Sequence, residues 1–423
     1  MIKFIIYNFV GIFIFFIPIK LNSKITIPID HIIIYIYTQF LNYVCIYTLA
    51  LIILGVFYPF ITKSWNTNRF NKIISFFNFS SIFICIIFIT NLNKFYFISK
   101  DMLSIIFNNI AIPISIAIPV GSVFLTFLID YGLLEFIGTL MQPIIKPLFK
   151  VPGKSAINAL ASFLSNCSIG VLITDALFKD SKYSIKEASI IVTGFSTVSI
   201  SSMLIIAKTL GLMRMWNSYF IITLIVTCLV TAITARIPPL SRKSHSYISS
   251  DSFIEATIDK NFIQIAWNEA IKSINKPINL YKNIYHNFKN GLIVTMTVLP
   301  SIVSIGTAGL ILSKYTCFID LLAYIFYPLL KILQLPQPML TAKSTSIGII
   351  DLFLPSFLIT NSSFLTRFII GVVSVSSVLS FCSSIPCILS TKIPLSIWEL
   401  FLIWIERVVF SFIIVTPIVT LII

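Results

Sequence analysis

The chain is short of charge and shorter still of acid. Only 11% of its 423 residues are charged, with 15 Asp and Glu against 30 Lys and Arg. A soluble domain carries roughly 25% charged residues; this one is 57% hydrophobic. That composition describes a polytopic membrane protein. Histidine is rarer still, present only as His31, His245 and His286. Without HExxH or GxSxG, and with histidines too scattered to serve a serine, no hydrolase and no enzyme of another kind is expected. The absence of a P-loop leaves ATP-driven transport within this chain unsupported. Seven cysteines, at 45, 85, 167, 228, 317, 382 and 387, are scattered without a CxxC. They supply neither a disulfide framework nor a zinc spacing, so no metal and no cofactor is expected. The net charge of +15 sits mostly in short connections. That is positive-inside topology in a bacterial inner membrane, with lipid rather than nucleic acid as partner.

What is present is a duplication. Glu135, Pro143 and Lys146 return as Asp320, Pro328 and Lys331, each displaced by 185, and the apolar residues between move in step: Leu134, Ile137, Leu140, Ile144, Ile145 and Leu148 map onto Ile319, Leu322, Ile325, Leu329, Leu330 and Leu333. At a displacement of 178, Ser168-Ile169-Gly170 returns as Ser346-Ile347-Gly348, and Ser196 and Ser199 return as Ser374 and Ser377. Polar, Pro and Gly residues recurring in register point to a transporter whose site lies where the halves meet.

Length sorts the apolar segments, since a helical span needs ~20 residues. Full-length candidates are 2–19, 31–61, 73–92, 110–130, 188–212, 216–235, 291–312, 366–391 and 397–423. The first, with Lys3 before its apolar run, fits a signal peptide but lacks a small-x-small cleavage site, so it is read as a helix. Segments 131–150 and 317–334 have internal breaks, at Pro143 and Pro147 in the first and at Pro328 in the copy. Segments 155–178 and 340–360 carry polar clusters, Ser165-Asn166-Cys167-Ser168 and Lys343-Ser344-Thr345-Ser346, each followed by Ile-Gly. Polar backbone at mid-depth must line a cavity or pack in protein. Cut at 165–170, the first of these leaves pieces of ~15 Å, too short to span. Re-entrant hairpins with tips at 165–170 and 343–348 satisfy both limits, and Gly170 and Gly348 would permit the reversal. One continuous helix with a polar patch is the alternative.

Lys63, Arg69 and Lys72, then Lys146, Lys150 and Lys154, place two connections inside if the N-terminus is inside. The basic connection 236–290 is then cytoplasmic as well, residues 313–316 face outward, and each repeat makes three full crossings, which inverts the second. Treating 131–150 and 317–334 as full spans would make the repeats parallel. Within the connection, Ser252 and Glu255 read as a capping box, Ile254, Ile258, Phe262 and Ile265 follow at helical spacing, and Pro277 ends or kinks the helix. It is either a basic amphipathic helix on an anionic leaflet or a linker between halves.

The run Ser165-Asn166-Cys167-Ser168-Ile169-Gly170-Val171-Leu172-Ile173-Thr174, then Gly194-Phe195-Ser196-Thr197-Val198-Ser199 and Ala207-Lys208-Thr209-Leu210-Gly211, resembles the bacterial YjiH-like membrane proteins over most of the chain. Those carry the nucleoside recognition, or Gate, domain. It also occurs in concentrative nucleoside transporters, Feo-type ferrous-iron transporters and spore-maturation membrane proteins. The resemblance implies a span, an interfacial helix, a re-entrant hairpin and two further spans, given twice. In the nucleoside transporters acidic and amide residues at the hairpins hold the sugar and base. Here the first hairpin offers Asn158, Ser162, Ser165, Asn166 and Ser168 with no acid before Asp175, and the second offers Lys343, Ser344, Thr345 and Ser346 with Asp351 beyond.

The expected fold is therefore an all-α polytopic membrane protein, with about nine transmembrane helices plus two re-entrant hairpins in two inverted Gate-type repeats. Its parts are N-terminal helices (1–109), a first repeat (110–235), a cytoplasmic linker (236–290) and a second repeat (291–423). The expected function is ion-coupled secondary transport of a small polar solute, a nucleoside or related compound. The substrate site would combine the hairpin residues with Ser196, Thr197, Ser199, Ser374 and Ser377, inside the Ser/Thr runs 196–202 and 374–384. These runs are either solute-facing or helix–helix contacts. Intramembrane acid marks a pathway or pairs with a lysine, so Asp351 or Asp175 would bind the coupling ion, Na+ or H+. Lys208 either snorkels from a span end or serves the site. Glu135 and Asp320 would face headgroups or water. Glu406 and Arg407 are adjacent on one helix, face different directions and must each find partners elsewhere. Homo-oligomerisation is open. The competing class is a non-transporting membrane scaffold or accessory subunit of the spore-maturation type.

Overall fold

The computed structural model describes residues 2–422 apart from 22–23, 67–68, 91–97, 130, 154, 165–166, 249–261 and 275–279. The N-terminal helices are α1 (Ile2–Phe16), α2 (Pro28–Gln39), α3 (Leu41–Ile61), α4 (Arg69–Phe77), α5 (Phe79–Thr90) and α6 (Lys100–Ser104). A short antiparallel ribbon, β1 (Ile19–Leu21) with β2 (Lys24–Thr26), is the single sheet among the described residues. Then come α7 (Ile112–Ile129), α8 (Leu133–Phe149), α9 (Ser155–Leu164), α10 (Cys167–Lys179), α11 (Ile185–Gly194), α12 (Ile200–Thr209) and α13 (Trp216–Thr234). After the linker helix α14 (Phe262–Ile274), the order repeats as α15 (Leu280–Tyr315), α16 (Phe318–Ile332), α17 (Pro338–Ile347), α18 (Leu354–Leu358), α19 (Phe364–Ser376), α20 (Ser384–Leu389) and α21 (Ile397–Ile422). Each set is a long helix, an amphipathic helix, two hairpin arms, two half-helices and a long helix.

Among the described residues, six helices are long and apolar enough to cross a membrane, at 41–61, 71–90, 102–127, 213–234, 280–315 and 397–421. The chain is an all-helical, multi-pass membrane protein. Composition alone counts three further spans, which the structure resolves differently. Segment 2–19 is the 15-residue α1, and 31–61 divides into α2 and α3. Segments 188–212 and 366–391 are interrupted crossings, each made of two half-helices.

The expected proline breaks in the amphipathic helices are absent. α8 runs unbroken through Pro143 and Pro147, and α16 through Pro328, because a proline costs one backbone bond that a surface helix can lose. At 17 and 15 residues both fall short of the ~20 needed to span. α16 buries Ile319, Leu322, Phe326 and Leu330 while exposing Phe318, Leu321, Ile325 and Ile332. A helix with one apolar face on protein and another open is suited to lie along the bilayer surface.

Small residues bring the long helices together. A Cβ on Gly55 of α3 would lie 1.8 Å from the Met296 carbonyl oxygen of α15, and one on Gly291 would lie 2.5 Å from Ser122 Oγ of α7. Close approach of this kind replaces the hydrophobic drive that lipid removes. Ser122 meets Gly291 at one end and Ile106 meets Gly306 at the other, so the leading helices of the two sets run antiparallel. Asn78 adds polar contacts to Ser301 and Ser304 at 3.1 and 2.9 Å.

The linker helix braces the first set. Trp267 of α14 meets the rings of Phe4 and Phe136 edge-on, at 5.5 and 6.3 Å, and Gly132, at φ 83°, lets the Ala270 carbonyl approach. Of the two readings of this region, the contacts fit a linker packed on α8. The expected cap at Ser252 and Glu255, with Ile254, Ile258 and Pro277, lies outside the described residues. The end of α13 and the start of α15 define a linker face of the bundle. Trp216 Nε1 donates to the Phe15 carbonyl at 2.9 Å, placing the end of α1 on the opposite face.

Candidate functional site

Both interrupted crossings break at residues that cannot easily continue a helix. In the first, Ser199 is extended (φ −67°, ψ 156°) and its side chain accepts from Ser202 N, so it caps a new helix, α12. In the second, the β-branched Val378 adopts φ 61°, a costly conformation. Ser384 Oγ donates to the Val378 carbonyl at 2.9 Å and accepts from Ser380 N at 3.0 Å, holding that turn open. The unwound runs are 195–199 and 377–383.

One fully buried guanidinium serves both breaks. Arg407 of α21 donates through Nε and Nη2 to the Ser376 carbonyl at 3.0 and 2.7 Å, and through Nη1 to Thr231 Oγ1 at 3.1 Å. The single proton of Thr231 Oγ1 is shared between the Thr227 carbonyl at 2.8 Å and the Gly194 carbonyl at 3.3 Å. Gly194 and Ser376 are the last residues of α11 and α19. A cation therefore sits against the negative ends of two half-helices, which offsets part of its desolvation.

The two hairpins point toward the same region. Arms α9 and α10 run antiparallel: Asn158 Nδ2 donates to Thr174 Oγ1 at 3.3 Å, and a Cβ on Gly170 would fall 1.7 Å from Ser162 Oγ. Ser344 Oγ of α17 donates to the Pro355 carbonyl of α18 at 2.8 Å. The arms, at 10, 13, 10 and 5 residues, are each shorter than the ~20 residues a span needs, as a re-entrant hairpin requires. The role expected of the glycines does not hold. Gly348 has φ −61° and Gly170 lies inside α10, so both act by admitting the opposite arm. The second reversal also lies further on than expected. Residues 343–347 belong to α17, and the chain turns over 348–353, which brings Asp351 onto the tip.

An internal cavity of about 60 Å³ lies between these parts, lined by Cys167, Ser196, Ser199, Ser201, Ser202, Asp351, Phe353, Val378, Cys382 and Ser383, with Ser122 and Val298 from the long helices. Asp351 is buried and its Oδ1 accepts from Phe353 N at 2.8 Å, while the Cys382 thiol donates to the Ser301 carbonyl at 3.9 Å. Phe381 N and Cys382 N donate to the Ile349 and Ile350 carbonyls at 2.8 and 3.0 Å, so tip and break share a short backbone ladder. Ser196 Oγ is buried at the cavity without a hydrogen-bond partner among the described residues.

The expected site residues divide accordingly. Ser196, Ser199 and Asp351 reach the cavity. Thr197 Oγ1 and Ser346 Oγ are buried without partners nearby but do not line it. Asn158, Ser344 and Thr345 spend their side chains inside their own hairpins. Lys343 leaves the site altogether and pairs with Asp320 of α16 at 2.8 Å, which also gives Asp320 a partner other than headgroups. Ser374 and Ser377 close the last turn of α19, because the second break starts later than a displacement of 178 implies. Asp175 binds the Lys179 ammonium and accepts from Lys392 N at 2.9 Å, a clamp between the first hairpin and the loop after α20. Lys208 pairs with Asp30 at 2.8 Å. Ser165 and Asn166 lie outside the described residues, as does the side chain of Ser168. Arg407 and Cys382 were not among the candidates. The one signal for Arg407 was its position, a cation beside Glu406 in the middle of a long apolar run that must find a partner on another helix.

Residues 110–213, from the start of the first set through α12, match the family model described as Gate, nucleoside recognition. The matched residues include the first hairpin and the first break with Ser196 and Ser199. A relative is an uncharacterized protein of Alkalihalophilus pseudofirmus, 31% identical over 288 residues, 67% of this chain. The aligned part spans 62% of that relative's length. Similar solved structures include CNTnw in an inward-facing substrate-bound state, 12% identical with a TM-score of 0.45, covering 99% of this chain and 90% of that one. A CNTnw variant in an intermediate state is 11% identical with a TM-score of 0.46, covering 98% and 91%.

Proposed function

We propose that this protein is a secondary transporter of a small polar solute, with nucleosides as the first class to test because of the Gate match. The observation that carries the reading is the meeting of two unwound crossings at one internal cavity. Irregular backbone at membrane depth is tolerated where it lines a path or is sealed in protein, and discontinuous helices are the usual site of solute and ion binding in transporters built from repeats. Ser196 offers a hydroxyl with unused hydrogen-bonding capacity, and Asp351 is the one carboxylate among the described cavity-lining residues. A hard cation takes oxygen ligands, and a proton needs a carboxylate, so Asp351 suits either coupling ion.

The cavity as it stands is small. A water needs about 10–15 Å³ of such space, so about 60 Å³ holds a cation with a few waters and no nucleoside. Transport then requires a hairpin to withdraw from its break. The same small volume favours the second reading, a membrane scaffold whose polar breaks are structural. Uptake of labelled nucleosides into proteoliposomes under an inward Na+ or H+ gradient decides between them. Gradient-driven, saturable uptake of at least one nucleoside supports the transporter. No uptake, together with no thermal stabilisation by nucleosides, amino acids or ions, supports the scaffold, since any ligand of the native state stabilises it by mass action.

A further inference from the structure

A second cavity, of about 350 Å³, lies at the face opposite the linker, between α2, α7, α12 and the second hairpin. Three elements line both cavities in the same order. α7 contributes Ala117 to the outer cavity and Ile118 to the inner; α12 contributes Leu204 and Lys208, then Ser202; the second hairpin contributes Phe357, then Phe353. Steps of one to four residues along a helix are at most ~6 Å, so the two spaces are neighbours along all three elements.

The outer cavity has the size and lining of a small-molecule site. Its volume falls within the ~300–1,000 Å³ of such pockets. Ile33, Ile205, Phe357 and the Tyr37 ring supply apolar walls, and Asn108, Thr209 and Thr360 supply polar groups. Its one charged lining residue among those described, Lys208, is neutralised by Asp30, which is buried and also accepts from Thr26 Oγ1 at 3.0 Å. A space with apolar walls, scattered amide and hydroxyl groups and no uncompensated charge suits an uncharged solute with a flat ring. It does not suit a phosphorylated one.

We propose that this outer cavity is a second solute site, a vestibule that takes an unphosphorylated nucleoside and delivers it past Leu204, Phe353 and Phe357 to the inner cavity. The proposal rests on the transporter reading for the delivery step but not for binding. Thr209→Cys, placed in a Cys228→Ser/Cys317→Ser background because those two thiols are exposed, reports on occupancy. The full-length protein in nanodiscs is labelled with a maleimide in the presence of uridine or uridine monophosphate. Uridine at ten times its Kd should slow labelling about tenfold by occupancy alone, whereas the monophosphate should not. Protection should persist when Ser196→Ala or Asp351→Asn is added, since neither residue lines the vestibule. If Thr209→Cys does not fold, Thr360→Cys on the opposite wall serves as reporter. Absence of uridine protection, equal protection by the monophosphate, or loss of protection in both inner-cavity variants overturns the vestibule. Uptake without protection overturns it while leaving the transporter reading intact. Protection without uptake supports the vestibule as a binding site and counts against transport.

Discussion

The two breaks do the same job with different degrees of closure. The second is latched: two backbone bonds join 381–382 to 349–350, Ser384 pins the turn, and Ser380 pairs with Ser383 at 2.8 Å. At the first, Ser199 caps α12, but Ser196 Oγ and Thr197 Oγ1 are buried without partners among the described residues. Among the described residues, no backbone bond joins 195–199 to the first hairpin. A buried hydroxyl left unbonded costs free energy comparable with a lost hydrogen bond. Among the described residues, the second break therefore has its polar groups bonded within its own half, Ser346 Oγ of its hairpin apart, and the first leaves two hydroxyls unbonded. Arg407 holds the two halves to a common point despite that difference.

The largest effect should come from cutting that common point. Arg407→Leu removes three donors and takes from the Ser376 carbonyl and from Thr231 Oγ1 the guanidinium they face, a cost of ~1–3 kcal/mol for each group left unsatisfied. The melting temperature of the purified protein should drop steeply. Arg407→Lys keeps the charge but cannot fork between Ser376 and Thr231, and should fall between. Equal stability for the leucine variant and wild type would remove Arg407 as the tie between breaks.

Asp351→Asn comes next, and its effect should fall on function. The amide oxygen can still accept from Phe353 N, so stability should change by no more than ~1.5 kcal/mol. Dependence of uptake on the Na+ or H+ gradient should disappear. Gradient-driven uptake at the wild-type rate would exclude Asp351 as the coupling residue.

Paired serine substitutions sharpen the comparison directly. Ser384→Ala removes satisfied bonds and should cost ~0.5–1.5 kcal/mol with little change in affinity. Ser196→Ala should leave stability unchanged or slightly higher, while weakening solute binding by a factor of roughly 2 to 13. Thermal melts and equilibrium binding on the same samples read both. The reverse pattern would mean that the first break, too, is only structural. The smallest effect is expected at Asp175→Asn. Its ion pair with the exposed Lys179 is worth ~0.2–1 kcal/mol, and a loss of uptake there beyond what the melt explains would restore Asp175 to the ion pathway.

Much of this arrangement is legible in residues. The paired polar clusters at 165–168 and 343–346 marked both hairpins, because a polar run between two short apolar pieces has few placements in a bilayer. The recurrence of Glu135 and Lys146 as Asp320 and Lys331 marked the two amphipathic helices. What eluded the sequence depends on where the backbone turns. Composition cannot tell an interrupted crossing from a continuous one, since Ser and Thr are tolerated in both. Ser374 and Ser377 thus looked equivalent to Ser196 and Ser199, yet the second break opens at Val378, a residue with no turn signal. Lys343 looked like a site residue because its helix is short, and only the fold brings Asp320 within 2.8 Å of it.

The central claim is that solute and ion meet where the two breaks face each other. Hydrogen–deuterium exchange of the protein in nanodiscs, with and without the nucleoside that the uptake panel selects and its coupling ion, reads that region directly. The account predicts that amides in 195–202 and 349–353 slow together on ligand addition, while those of α8 and α16 do not change. Slowing confined to other segments, or no slowing at a ligand concentration that saturates binding, would contradict it.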